Sequence, residues 1–185
     1  MQVPACLYYS FACLFSEFKC YCGLANRDNK ANRIFGGNTT KKNEYPWMVL
    51  VQFSTKYKGP GMCGGSLINS MWVLTAGHCL EDPSNKWELI DKSNVTVHLG
   101  IHDKKIPVED EDTRISLNIS EIIMHPEKKK RHVVFDFALL KLDKEISFMA
   151  HPKIRPVCLP DNNSEDFAGQ DATLTGWGLI GPLIG

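Results

Sequence analysis

Cys63-Gly64-Gly65-Ser66-Leu67-Ile68, followed by Leu74-Thr75-Ala76-Gly77-His78-Cys79, is the most informative part of the chain. Residues 66–68 and 71–75 are short apolar runs with Asn69-Ser70 between them, the pattern of two adjacent strands joined by a turn. A bridge between Cys63 and Cys79 would close a loop of about 17 residues, for which chain entropy gives roughly 3 kcal/mol. It would also clamp the backbone beside His78. An imidazole is the side chain most easily tuned to exchange protons near neutral pH, and as a base it needs an acceptor on its other nitrogen. Asp136, at the head of Asp136-Phe137-Ala138-Leu139-Leu140, is a carboxylate at the edge of an apolar strand. There it is shielded from water and strong as that acceptor.

Similar short runs stand on both sides: residues 47–53, 95–99, 115–123, 137–142 and 173–175. Leu117 and Ile119 alternate with Asn118 and Ser120, the period of a half-buried strand. No segment carries a long 3.6-residue period. Fourteen Gly and ten Pro, mostly single between the runs, suit a loop-rich barrel or sandwich better than a helical bundle. The 185 residues suffice for one domain, or for one domain with an N-terminal extension. With 43% apolar and 23% charged residues, the chain is able to bury a core. Lys and Arg number 21 and Asp and Glu 21, so no basic field points to nucleic acid.

The apolar stretch 3–15 is shorter than the roughly 17–25 residues of a membrane span. It has the length of a signal-peptide core, and Ser10-Phe11-Ala12 offers a small-x-small cleavage site, although no Lys or Arg precedes Lys19. Residues 1–16 are therefore expected to be a signal peptide. Sequons at Asn38, Asn94, Asn118 and Asn162 agree with export. Seven cysteines without a C-x-x-C pair fit disulfides better than zinc, and Cys20-Tyr21-Cys22 is too close for zinc ligands. The expected location is extracellular. Residues 23–33 are polar, without aromatic or β-branched side chains, and read as an exposed linker that a protease can enter. The acidic run 109–112 and the basic run 128–132 read as solvated loops, and the acidic run lacks the spacing of a calcium loop.

Taken together, these motifs resemble the chymotrypsin/trypsin-like serine endopeptidases, peptidase family S1. Arg33-Ile34-Phe35-Gly36-Gly37 is similar to that family's activation junction, and Tyr45-Pro46-Trp47 with Cys63-Gly64-Gly65-Ser66-Leu67 to its first strands. Thr75-Ala76-Gly77-His78-Cys79 resembles its histidine motif. His125-Pro126, Asp136 to Leu140, Val157-Cys158-Leu159-Pro160 and Thr175-Gly176-Trp177-Gly178 follow in the family's order. The resemblance runs from Cys22 to Gly178.

The resemblance implies an all-β, chymotrypsin-like double Greek-key β-barrel. The first barrel (about residues 34–144) would be essentially complete and the second mostly missing. Residues 17–33 become a propeptide and 34–185 a partial peptidase domain. His78 and Asp136 become two members of a Ser-His-Asp triad. An activating protease would cut between Arg33 and Ile34, and Cys63 would pair with Cys79 and Cys22 with Cys158. Partners would be protein or peptide substrates and protease inhibitors. No cofactor and no metal are implied. The nucleophile motif Gly-Asp-Ser-Gly-Gly is absent, and Ala172 stands where many relatives have cysteine. Residues 34–185 also fall short of the about 200–250 of such barrel domains, so a truncated or misjoined chain is expected. The rival reading is a non-catalytic homologue that binds partners.

Overall fold

The computed structural model describes residues 22–26, 39–55, 59–82, 85, 87–105, 112–130, 132–160 and 167–178. Eight strands follow in chain order: β1 (Met48–Thr55), β2 (Gly59–Leu67), β3 (Trp72–Thr75), β4 (Glu81–Asp82), β5 (Glu88–Leu89), β6 (Val95–Leu99), β7 (Ile115–Met124) and β8 (Ala138–Leu142). Six of them close into an antiparallel barrel in the order β1-β2-β3-β8-β7-β6, while β4 and β5 form a separate two-stranded ladder. Closure leaves the barrel without an unpaired edge.

The period-2 pattern decides what points inward. Val49 and Val51 of β1, Val95, Val97 and Leu99 of β6, and Ala138, Leu140 and Leu142 of β8 are all buried in one cluster. Leu67, Val73 and Ile119 complete the lining, and Ile146 and Ile154 from the chain after β8 pack against it. β7 carries a bulge between Ile119 and Glu121, where the one Ser120 hydroxyl proton is shared between the carbonyls of Lys141 and Leu142, 3.2 and 3.0 Å from Oγ. The extra residue bends the longest strand around the barrel.

Residues 173–175, expected as a strand, make no ladder in the structure. A strand exists through its partner, and none of the described residues supplies one. The segment is instead docked by side chains. Trp177 Nε1–H donates to the His102 carbonyl at 2.8 Å, and Lys104 Nζ donates to the Trp177 carbonyl at 3.0 Å. No strand of a second barrel occurs among the described residues. None of their helices is long and apolar enough to cross a membrane.

His98 departs from the apolar rule. It is buried on β6 between β1 and β7, with Nδ1 2.7 Å from Ser116 Oγ and Nε2 3.0 Å from Gln52 Oε1. Burial, aided by the charge of Arg114, pushes its pKa down from 6.5 to about 4. The unfolded chain therefore takes up a proton near pH 6.5, whereas the folded chain resists until about 4. Stability from this group is complete above pH 6.5 and is lost as pH falls towards 4, by at most about 3 kcal/mol. Urea unfolding at pH 7 and pH 4.5 checks this. The His98→Gln variant is expected to lose that part of the pH slope.

Candidate active site

Thr75 ends β3 and Ala138 begins β8, and the two are register partners. The chain leaving β3 reaches His78 three residues later, and the chain entering β8 passes Asp136 two residues earlier. Two side chains 58 positions apart are thus delivered to the same end of one strand pair.

After Thr75, whose hydroxyl donates to the Gly64 carbonyl at 2.8 Å, the backbone tightens into a 3₁₀ turn over Gly77–Leu80. Cys79 and Leu80 face the interior, and Cys79 is bonded to Cys63 of β2. His78, between buried neighbours, is turned out, with its side chain 61% exposed. The disulfide fixes the turn to the barrel wall. Its loss in Cys63→Ala/Cys79→Ala is expected to lower the unfolding free energy by roughly 3 kcal/mol, measurable by denaturant titration.

Asp136 sits in a tight turn in which the Phe137 N–H donates to the Phe135 carbonyl at 2.9 Å. Phe135 has φ 54°, a left-handed conformation that costs a bulky residue energy and persists only where its surroundings enforce it. The enforcing partner is His125. Its ring stacks on Phe135 at 4.8 Å and meets Phe137 edge-on at 4.5 Å, and its backbone N–H donates to the Phe137 carbonyl at 3.2 Å.

The carboxylate receives His78 twice. The His78 backbone N–H donates to Asp136 Oδ1 at 2.8 Å, and His78 Nδ1 lies 2.6 Å from Oδ2. Gly77 permits this approach: a Cβ there would lie 3.2 Å from Asp136 Oδ1 and 3.1 Å from the ends of Lys128 and Met124. Burial pushes the Asp136 carboxyl up. The hydrogen bonds from the His78 ring and backbone, with the charges of His78 and Lys128, outweigh it and hold the group below its ordinary 3.8. Asp136 is therefore ionised and fixes the proton of His78 on Nδ1. Nε2, on the other side of the ring, lies 3.7 Å from Cys79 Sγ. No described serine hydroxyl bonds to His78. Cys63, His78 and Cys79 lie together, but both sulfurs belong to the disulfide and offer no thiolate to a metal.

Cys22 is bonded to Cys158. Asn94, at the end of the 3₁₀ turn Lys92–Asn94, and Asn118, on β7, are exposed, and Asn118 stands opposite Thr96 of the first of these two sequons. Arg33, Ile34, Asn38 and Asn162 lie outside the described residues, as do Cys6, Cys13 and Cys20. Sequence reasoning missed Lys128. Lys130 of the same basic run is half-exposed and pairs with Glu88, as a solvated loop should, but the Lys128 side chain is 1% exposed and pairs with Glu81 at 3.0 Å. It named His125 only as part of a motif and missed its packing on Phe135 and Phe137, which the sequence does not signal.

The family model described as trypsin matches residues 34–183. The chain is 38% identical to ovochymase-2 of Mus musculus over 150 residues, which is 80% of the chain and 22% of that protein. It is 35% identical to snake venom serine proteinase 5 of Crotalus adamanteus over 161 residues, covering 86% of the chain and 54% of that protein. Against serine proteinase stubble of Drosophila melanogaster it is 31% identical over 161 residues, 86% of the chain and 19% of that protein. The chain thus spans about half or less of the length of these relatives.

Proposed function

Because the chain belongs to the trypsin family, we propose that it is the base-bearing part of a serine endopeptidase, with His78 as general base and Asp136 as its orienting carboxylate. The observation that carries this reading is the pair of contacts from one residue to one carboxylate, Nδ1 to Oδ2 at 2.6 Å and N–H to Oδ1 at 2.8 Å. They fix the tautomer and the ring plane together. Nε2 then takes the proton of a serine hydroxyl as that oxygen attacks the scissile carbonyl, and returns it to the leaving amine. The anionic Asp136 stabilises the imidazolium formed between the two steps. None of the serines between residues 1 and 185 stands in a Gly-Asp-Ser-Gly-Gly context, so on this reading the nucleophile and oxyanion donors lie outside residues 1–185.

Substrates are proteins or peptides, and protease inhibitors are the natural antagonists. The protein is made as a zymogen and secreted, with residues 1–16 as signal and 17–33 as propeptide. Two disulfides and exposed sequons at Asn94 and Asn118 support an oxidising, glycosylating compartment. An activating protease with a preference for Arg is expected to cut after Arg33 and yield an N-terminal sequence beginning at Ile34. Cutting confined to residues 128–131 would count against the zymogen reading.

The test is a fluorophosphonate probe, which labels an activated serine, applied after cleavage at Arg33 to residues 1–185 and to the full-length protein. Labelling of the full-length protein alone, abolished by His78→Ala, is expected. Labelling of neither form would favour a second reading, a non-catalytic homologue that binds partners.

A further inference from the structure

Beneath the dyad lies a charged pair that the triad chemistry does not use. Lys128 Nζ, on the chain after β7, donates to Glu81 Oε1 of β4 at 3.0 Å and to the Lys129 carbonyl at 3.0 Å. Its third direction faces Asp136 Oδ1 at 3.7 Å, the same oxygen that receives the His78 backbone N–H. That distance is too long for a hydrogen bond, so the ammonium acts on the carboxylate through its charge. The side chains of Lys128 and Glu81 are 1% and 4% exposed. Burying such a pair costs desolvation that an apolar pair would not, so it is poorly explained as a stabiliser. The Lys128 stem also lies under the histidine turn, its Cε 3.1 Å from where a Gly77 Cβ would stand.

We propose that Lys128 is a positioning residue for the dyad, held by Glu81 with its ammonium towards Asp136, where it keeps the carboxylate charged and in line and opposes protonation of His78. This rests on the reading of His78 as the catalytic base. The charged and titratable groups facing Asp136 among the described residues are His78 from the 3₁₀ turn, Lys128 from the chain after β7 and Glu81 of β4 behind it. His125 packs on Phe135 and Phe137 and is not among the groups that shift the Asp136 carboxyl.

The sign follows from the order of charges. Lys128 Nζ lies 3.7 Å from Asp136 Oδ1, and Lys128 but not Glu81 is among the groups that act on that carboxyl, so the pair presents its positive end to Asp136. Neutralising both partners in Glu81→Gln/Lys128→Gln leaves the field of Asp136 on His78 unopposed, and the His78 pKa rises by about half a pH unit, a threefold gain in proton affinity. Neutralising Glu81 alone removes the nearer counter-charge of the ammonium, and the same value falls by a similar amount.

The experiment is an NMR titration of the His78 ring proton in the full-length protein, assigned with His78→Gln, run beside the pH dependence of fluorophosphonate labelling. Shifts of opposite sign in Glu81→Gln and the double variant are expected, and a purely structural role would not produce them. If Glu81→Gln does not fold, Lys128→Arg, which should keep the wild-type value, is compared with the double variant, and equal values in both overturn the inference. Opposite shifts without labelling in any form retain the inference and sink the endopeptidase reading. Labelling whose acid limb stays fixed across the variants retains that reading and overturns the inference.

Discussion

Asp136→Asn in the full-length protein is expected to lower kcat by about 10⁴, the scale that a wrong tautomer costs in triads of this type, while leaving the fold in place. Asparagine offers one oxygen and one amide nitrogen where aspartate offered two acceptors. The oxygen can still accept the His78 backbone N–H, now 2.8 Å from Oδ1. The amide nitrogen then faces Nδ1, now 2.6 Å from Oδ2, and as a donor it requires that nitrogen to be unprotonated. The ring proton moves to Nε2, so the imidazole meets the serine as a donor and cannot act as base. Burst-resolved hydrolysis of a peptide ester after cleavage at Arg33 measures this loss. A decrease below tenfold would remove Asp136 from the triad.

The same substitution carries a stability signature. Since the folded Asp136 carboxyl lies below its ordinary 3.8, its contribution is complete above that pH and is lost as pH falls through the lower folded value. The advantage of wild type over Asp136→Asn should shrink in strong acid and stay constant above pH 5. A gap that widens on acidification would contradict the assigned charge.

Most of the barrel was legible because its strands are half-buried and alternate. Val95-Thr96-Val97-His98-Leu99 became β6, and residues 47–53 and 137–142 became β1 and β8 within two residues. The first half of β2 was not legible. Gly59-Pro60-Gly61 reads as a turn, yet it pairs with Phe53, Ser54 and Thr55 of β1. The reason is tertiary: the Phe53 ring lies over Gly61, where a Cβ would come within 2.4 Å of it. An aromatic side chain on one strand thus fills the space that glycine leaves on the next, and local propensity loses. β4 and β5 were illegible for a different cause. Each is two residues long, three of the four residues are acidic, and each is held by its partner and not by any pattern of its own.

His78 and Asp136 were found as residue types in motif order, and the register of Thr75 with Ala138 supplies the reason they meet. Lys128 could not have been found in this way. A lysine at the head of Lys128-Lys129-Lys130-Arg131-His132 carries no mark that sets it apart from its solvated neighbours. What buries it is the return of the chain from β7 past Glu81, a contact across 47 residues.

The Cys22–Cys158 bond should decide whether the segment ahead of Arg33 stays with the barrel. The two cysteines are 136 positions apart, and a ring of that size is worth up to about 5 kcal/mol in the chain-entropy treatment. Cys22→Ala/Cys158→Ala should therefore lower the unfolding free energy of the uncut protein more than loss of Cys63–Cys79 does. Cleavage after Arg33 falls inside the ring and opens it, so the bond then joins two chains. Among the described residues the other hydrogen bonds are few. Gly23 N–H donates to the Pro156 carbonyl at 2.9 Å and Asn26 N–H to the Glu44 carbonyl at 3.0 Å. The Asn26 side chain donates to the Asn43 and Lys153 carbonyls at 2.8 and 3.3 Å and accepts from Arg155 at 3.4 Å. Such bonds contribute about 0.5–1.5 kcal/mol each net of water, whereas association costs at least about 4 kcal/mol in lost freedom. Without the disulfide, the cut segment should leave at micromolar concentration. Size-exclusion chromatography with mass spectrometry is the measurement. Cut wild type is expected to run as one species that separates on reduction, and the cut Cys22→Ala/Cys158→Ala variant to lose the segment at once. Retention of the segment after reduction would show that its contacts, and not the bond, hold it.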